Sequence, residues 1–149
     1  MPSQLLSIPS LGASLRLART AFLLALLDAP FVAIVGMSVY APMLRRITGS
    51  VDGNTPVRRP DYALRVGAAA LCYLLLAAGL HALILEESRL GWLASGEAVR
   101  KGFVFGVVTW GVFGLTSMAI FGRLWGACAV LWDLVWGGVL CATVAYLLS

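Results

Sequence analysis

The sequence predicts an all-α integral membrane protein, a bundle of four transmembrane helices. Three observations point there. Hydrophobic residues make up 60% of the 149-residue chain and charged residues only 12%, against about 45–50% and about 25% in soluble domains. Four apolar runs each reach the ~20 residues a helix needs to cross a ~30 Å hydrocarbon layer. No polar stretch between them is long enough to fold by itself, so residues 1–149 form one domain. The formal charge of +4 does not suggest nucleic acid, because the arginines sit at the ends of the apolar runs, where they anchor helices among lipid headgroups.

The first crossing is expected over residues 20–40, between Arg16 and Arg19 on one side and Arg45 and Arg46 on the other. The lead-in, residues 1–19, carries four serines and two arginines with no acid. It faintly resembles an organellar import signal, but an amphipathic approach to the first crossing accounts for it as well and is preferred. Pro30 removes a backbone donor and frees the carbonyl of Leu26, so a bend is expected there. Neighbouring helices make such prolines tolerable in lipid.

Residues 41–61 hold Pro42, Gly49, Gly53, Pro56, Pro60 and four arginines and read as a surface loop. The second crossing, residues 62–85, stops at Glu86 and Glu87. Between it and the third, charges alternate with Leu90, Trp92 and Leu93, a pattern that suits a short interfacial helix. The third crossing covers residues 102–121 and the fourth residues 124–148, with only Gly122 and Arg123 between them. Read as one helix, this stretch is about twice the bilayer thickness, so a tight hairpin is expected. Four crossings put both termini on one side. The loops of the two sides carry five Lys/Arg each before Arg65 is counted, so the positive-inside rule gives no orientation.

The third run presents Gly102, Gly106, Gly111 and Gly114, and the Gly102 to Gly106 spacing is the small-x-x-x-small pattern that lets membrane helices approach closely. Gly122 to Gly126 repeats it, and Gly137 follows in the fourth run. Close packing of the last two helices is expected. Trp92 and Trp125 suit the interfacial belt, and Trp110, Trp132 and Trp136 lie deeper. Cys72, Cys128 and Cys141 fall inside apolar runs without any C-x-x-C pair and read as small core residues.

Ionisable side chains inside a bilayer cost at least ~2.5 kcal/mol at a helix centre, so each requires a reason. Asp28 and Asp133 each lie about eight or nine residues into their helices and both approach the midplane, from opposite sides of the membrane. They suit either a proton-carrying pair or two hydrogen-bonded fasteners between helices, and the fastener role is preferred because no file of polar residues links them to both surfaces. Depth matching offers His81 as a partner for Asp28 and a snorkelling Arg65 for Asp133. Trp136, three residues from Asp133 on its helical face, is a candidate indole donor to that acid. The chain has no H-E-x-x-H, G-x-S-x-G, P-loop or G-x-G-x-x-G spacing and a single histidine, so the usual histidine-based catalytic and metal constellations are excluded.

Three stretches together resemble a family of small four-helix bacterial membrane proteins, domain of unknown function twenty-one seventy-seven. They are Leu27-Asp28 with Tyr40 downstream; Gly106, Trp110-Gly111, Phe113, Leu115-Thr116 and Ala119; and Trp125, Asp133 and Trp136-Gly137. The resemblance runs from about Ala21 to the C-terminus. It implies the fold and a membrane address and no established activity. This chain has Gly114-Leu115-Thr116-Ser117 where the family tends to have Asp-Leu-Thr-Asn, and Phe31 where a tryptophan follows the first acid. Loss of the acid and amide tilts the expectation toward a scaffold.

The resulting expectation is a non-catalytic accessory or structural subunit of a larger membrane complex, with other integral membrane subunits and lipids as partners. No cofactor is expected beyond bound phospholipids. The basic lead-in favours a respiratory or other energy-transducing assembly in the mitochondrial inner membrane, with a bacterial plasma membrane as the alternative. The competing class is a small transporter or proton-coupled carrier that uses Asp28 and Asp133.

Overall fold

The computed structural model describes residues 11–48, 59–91 and 93–149, with the side chains of residues 47, 48, 59–62 and 65 also left undescribed. The described residues are helical almost throughout. Helix α1 (Leu11–Val35) passes through a π-helical turn (Gly36–Tyr40) directly into α2 (Ala41–Thr48). Helix α3 (Arg59–Leu80) likewise continues through a π turn (His81–Leu85) into the short α4 (Glu86–Arg89). The last two helices, α5 (Ser95–Phe121) and α6 (Ala127–Leu148), are joined by one 3-10 turn (Gly122–Leu124). Four helical segments are long and apolar enough to cross a membrane: Leu11–Arg46, Val66–Arg89, Ser95–Leu124 and Ala127–Leu148.

The first, second and third of these outrun the apolar text on which their expected bounds rested, because a helix does not end where hydrophobicity ends. Backbone hydrogen bonding continues into the charged flanks until glycine or an extended residue stops it. Among the described residues no separate interfacial helix lies between the second and third crossings. Glu86–Arg89 prolongs the second, and from Ser95 the polar residues are the opening turns of α5. Arg89 pairs with Glu86 at 2.8 Å within α4, and Lys101 pairs with Glu87 at 2.7 Å, which ties the end of the second crossing to the start of the third. Trp92 lies outside the described residues.

The α5/α6 hairpin is the most extensively packed pair, and α1 lies against both α3 and α6. Glycine makes the hairpin possible. A Cβ at Gly102 would sit 2.8 Å from the Cys141 carbonyl oxygen, one at Gly111 2.9 Å from Leu134, and one at Gly114 3.1 Å from Val130. At Gly106 a Cβ would overlap the Gly137 carbonyl itself. In the opposite direction Gly137 receives the Trp110 indole and Gly138 the Phe103 ring, so large side chains of α5 fill the grooves that α6 glycines leave. Lipid supplies no hydrophobic drive for helix association, and close van der Waals contact of this kind takes its place. Gly122 and Gly126 do not repeat the pattern. Gly122, at φ +57°, turns the chain, and Gly126 precedes the first turn of α6, with open space beside each.

Burial also redistributes the residues read as core. Cys141 is buried, whereas Cys72 and Cys128 are exposed. Pro30 is exposed, since it lies about 200° around the helix from Asp28, and the departure from α-helical bonding comes later, at Gly36–Tyr40. There the N–H of Ala41 bonds the Gly36 carbonyl, five residues back. Trp125, expected at the interface, is only 5% exposed, and Trp132 faces outward at 62%. The apolar interior forms two clusters. One gathers Leu24, Leu80, Ile84, Leu140 and Val144 toward the end of the bundle where α4 and the start of α5 lie. The other gathers Met43, Trp125, Ala129 and Val130 toward the hairpin turn. Asp28 and Asp133 lie between them.

Candidate functional site: a two-aspartate chamber

Asp28 and Asp133 are 6% and 2% exposed. Asp28, on α1, accepts two hydrogen bonds, one on each oxygen: the Tyr73 hydroxyl of α3 donates to Oδ2 at 2.7 Å and the Trp136 indole N–H of α6 to Oδ1 at 2.6 Å. One carboxylate thereby joins three helices. Charge-assisted bonds of this length are the strong ones, and in lipid no water competes for them.

Phe31 explains why Trp136 reaches α1 instead of its own neighbour Asp133. The Trp136 indole lies flat on the Phe31 ring, with centroids 4.8 Å apart and planes 3° from parallel. Phe31 is three residues beyond Asp28 and on the same helical face, so a ring resting on it presents its N–H to Asp28. The expected Trp136 to Asp133 bond is therefore not formed.

Asp133 instead accepts from Tyr40 through Oδ1. Tyr40 closes the π turn of the first crossing, and π turns recur at functional sites. The second carboxylate oxygen, Oδ2, is buried and has no hydrogen-bond partner among the described residues. The side chain of Arg65, expected near Asp133, lies outside the described residues. The expected approach of His81 to Asp28 does not occur: His81 Nε2 lies 2.9 Å from Thr20 Oγ1, and Nδ1 lies 3.9 Å from Glu86. Thr20 is two turns before Asp28, so the histidine and the aspartate belong to different levels of the bundle.

The two acids share a cavity of about 290 Å³. Phe31 and Val32 of α1, Tyr40, Leu44 of α2, Trp110 and Phe113 of α5, and Trp125 of the turn complete its lining. The Trp125 ring is held by Tyr40, Phe113 and Phe121, with centroids 5.5 to 6.0 Å away. Its indole N–H is buried and has no hydrogen-bond partner among the described residues either. A second cavity, about 250 Å³, adjoins on the α3 side. Asp28, Trp110 and Phe113 line both and form the partition, while Cys72, Tyr73 and Thr109 lie beyond it. Among the described residues no group of three or more His, Cys, Asp or Glu could hold a metal ion.

Tyr40, Tyr73 and the Trp125 N–H are the site groups that reading the acids alone missed. Depth contained a signal for two of them. The end of the first crossing and the start of the fourth share a membrane face, as Tyr40 and Asp133 require, and Tyr73 stands midway along the antiparallel second crossing, opposite Asp28.

Fold and site together define a four-span integral membrane protein with a carboxylate-lined aromatic pocket between α1, α2 and the α5/α6 hairpin, open on one side. A family model described as predicted membrane protein, DUF2177, matches residues 14–148. The chain belongs to that family, one of unknown function. No curated protein and no solved structure matches the chain.

Proposed function

We propose that this protein is a small membrane carrier, proton-coupled, that loads its solute in the two-aspartate chamber. The observation that carries this reading is the pair of unpartnered groups on one cavity, the acceptor Asp133 Oδ2 and the donor Trp125 N–H. Each unmade buried hydrogen bond costs about 1–3 kcal/mol. A solute with a matching donor and acceptor recovers that cost on entry, which makes the chamber a place where binding energy is stored in advance. The two carboxylates supply the proton-carrying groups, and the path for the solute opens between α1 and the α5/α6 hairpin. The work is binding and passage, without a chemical step. Any membrane that holds a proton gradient suits it, a bacterial plasma membrane included.

A second reading, a non-catalytic accessory subunit held among other integral membrane subunits and lipids, draws on Asp28. A carboxylate with both oxygens bonded to neighbouring helices is a fastener. That reading sets the chain in a larger energy-transducing assembly, with the inner mitochondrial membrane as one host, and takes bound phospholipids against the exposed apolar faces.

Reconstitution separates the two. Purified protein in liposomes with an internal pH dye is expected to show solute-dependent proton movement that Asp133→Asn removes while the variant still elutes as a monodisperse helical protein. Co-purification in mild detergent as a fixed-ratio larger assembly, with no flux from the isolated chain, would overturn the carrier in favour of the subunit.

A further inference from the structure

We propose that the chamber's solute is a small organic ammonium ion that keeps at least one N–H and carries an oxygen acceptor on an apolar body. This rests on the carrier reading and adds the ligand's chemistry to it. Charge is the first argument. Asp28 and Asp133 both line the cavity, and among the described residues no lysine, arginine or histidine lines it. A carboxyl group in a low-dielectric interior ionises readily only beside a counter-ion, so an occupant bearing positive charge is favoured over a neutral or anionic one of the same shape.

The walls select the kind of cation. Phe31, Tyr40, Trp110, Phe113 and Trp125 contribute five aromatic side chains, and the Phe113 and Trp125 rings meet edge to face at 81°. Rings set at angles around a carboxylate attract an alkylated nitrogen through their faces. Hard metal ions want a shell of about six or more oxygens, which this apolar lining does not offer.

Hydrogen bonding narrows the class further. Asp133 Oδ2 lacks a donor, so the nitrogen retains a proton to give, which disfavours a quaternary centre. The Trp125 N–H lacks an acceptor, so the solute brings a hydroxyl, ether or carbonyl oxygen. At about 290 Å³ the chamber lies near the lower limit of small-molecule sites, about 300 Å³, so the solute is smaller than a drug.

The test is calorimetric titration of the full-length protein in lipid nanodiscs at neutral pH with four probes: 2-amino-1-phenylethanol, 2-phenylethylamine, 2-phenylethanol and phenylacetate. Both amines are expected to bind about tenfold or more tighter than 2-phenylethanol, the order of a charge-assisted hydrogen bond, with no heat from phenylacetate. The amino alcohol is expected to exceed 2-phenylethylamine by about threefold or more, since only it answers the Trp125 N–H. Asp133→Asn should erase the preference for the amines, and Trp125→Phe only the gain from the hydroxyl. Glu87→Gln, at a surface acid, should leave all affinities unchanged. Should Asp133→Asn not fold, Trp125→Phe and the probe series still decide.

Equal binding of 2-phenylethylamine and 2-phenylethanol, or displacement of the amine by millimolar sodium, overturns the ammonium assignment and leaves the carrier standing. Absence of binding by all four probes, with flux in liposomes still lost in Asp133→Asn, does the same. If both chamber variants leave flux unaltered, the carrier reading falls and this inference falls with it.

Discussion

Replacing Gly106 by alanine adds one methyl group at the closest approach of the hairpin. The new Cβ falls on the Gly137 carbonyl, a backbone atom that no rotamer change can move, and contacts the Gly138 nitrogen at 2.9 Å. The α5 and α6 axes must part to admit it. Parting them also loosens Gly102 on Cys141 and Gly111 on Leu134, because all these contacts belong to one antiparallel seam. Overpacking costs about 1–3 kcal/mol, and a rigid backbone neighbour places this case near the upper end. Alanine regains ~1 kcal/mol of helix propensity over glycine, which leaves a net loss of about 2 kcal/mol. That is roughly a thirtyfold shift of the folding equilibrium. Gly67, on α3, is the control, since a Cβ there would meet nothing within 4 Å. Gly67→Ala should be neutral or slightly stabilising. Unfolding in mixed detergent and sodium dodecyl sulfate micelles, followed by circular dichroism, measures both. Equal midpoints for the two variants would refute the claim that this seam depends on glycine.

Tyr73→Phe and Trp136→Phe should each lower stability by about 1.5–3 kcal/mol, the range for bonds to a charged group. The double variant should lose more than their sum, because Asp28 is then buried with no donor; an additive result in the same unfolding assay would show that the two bonds do not share one acceptor. Trp125→Phe, in solute-free protein, should change stability by less than about 1 kcal/mol, since relief of an unpaired N–H offsets the lost ring area; a loss well beyond that would mean the indole is bonded. Gly122→Ala should cost about 1–3 kcal/mol, because φ +57° with ψ −131° is strained for any residue with a Cβ. Gly126→Ala, at φ −69° with open space around it, should cost less than about 1 kcal/mol, and differential scanning fluorimetry of the pair reads the difference.

Much of the architecture was legible because it follows from one-dimensional patterns. The third and fourth crossings are too long together for one span, and Gly122 marks the place where the chain must turn. The spacing of Gly102, Gly106, Gly111 and Gly114 leaves a helical face without side chains, and a bare face in lipid has to meet another helix. The acids were equally legible as groups in need of a reason. Where helices end was less so, since Ser95 to Lys101 reads as surface in composition while its backbone is already helical.

The sequence by itself thus determined the solvent, the number of crossings, the hairpin and the depth at which Asp28 and Asp133 lie, because each of these depends on hydrophobicity and spacing along one helix. Tertiary structure alone decided whom the acids meet. Trp136 is carried to Asp28 by its stacking on Phe31, Tyr40 takes Asp133, His81 stays with Thr20, and the Trp125 indole turns inward. The physical reason is that the spacing of residues along a helix fixes a side chain's height and its face but leaves open the rotation of that helix about its axis relative to its neighbours. That rotation is set by the packing of rings and glycines from all four crossings at once.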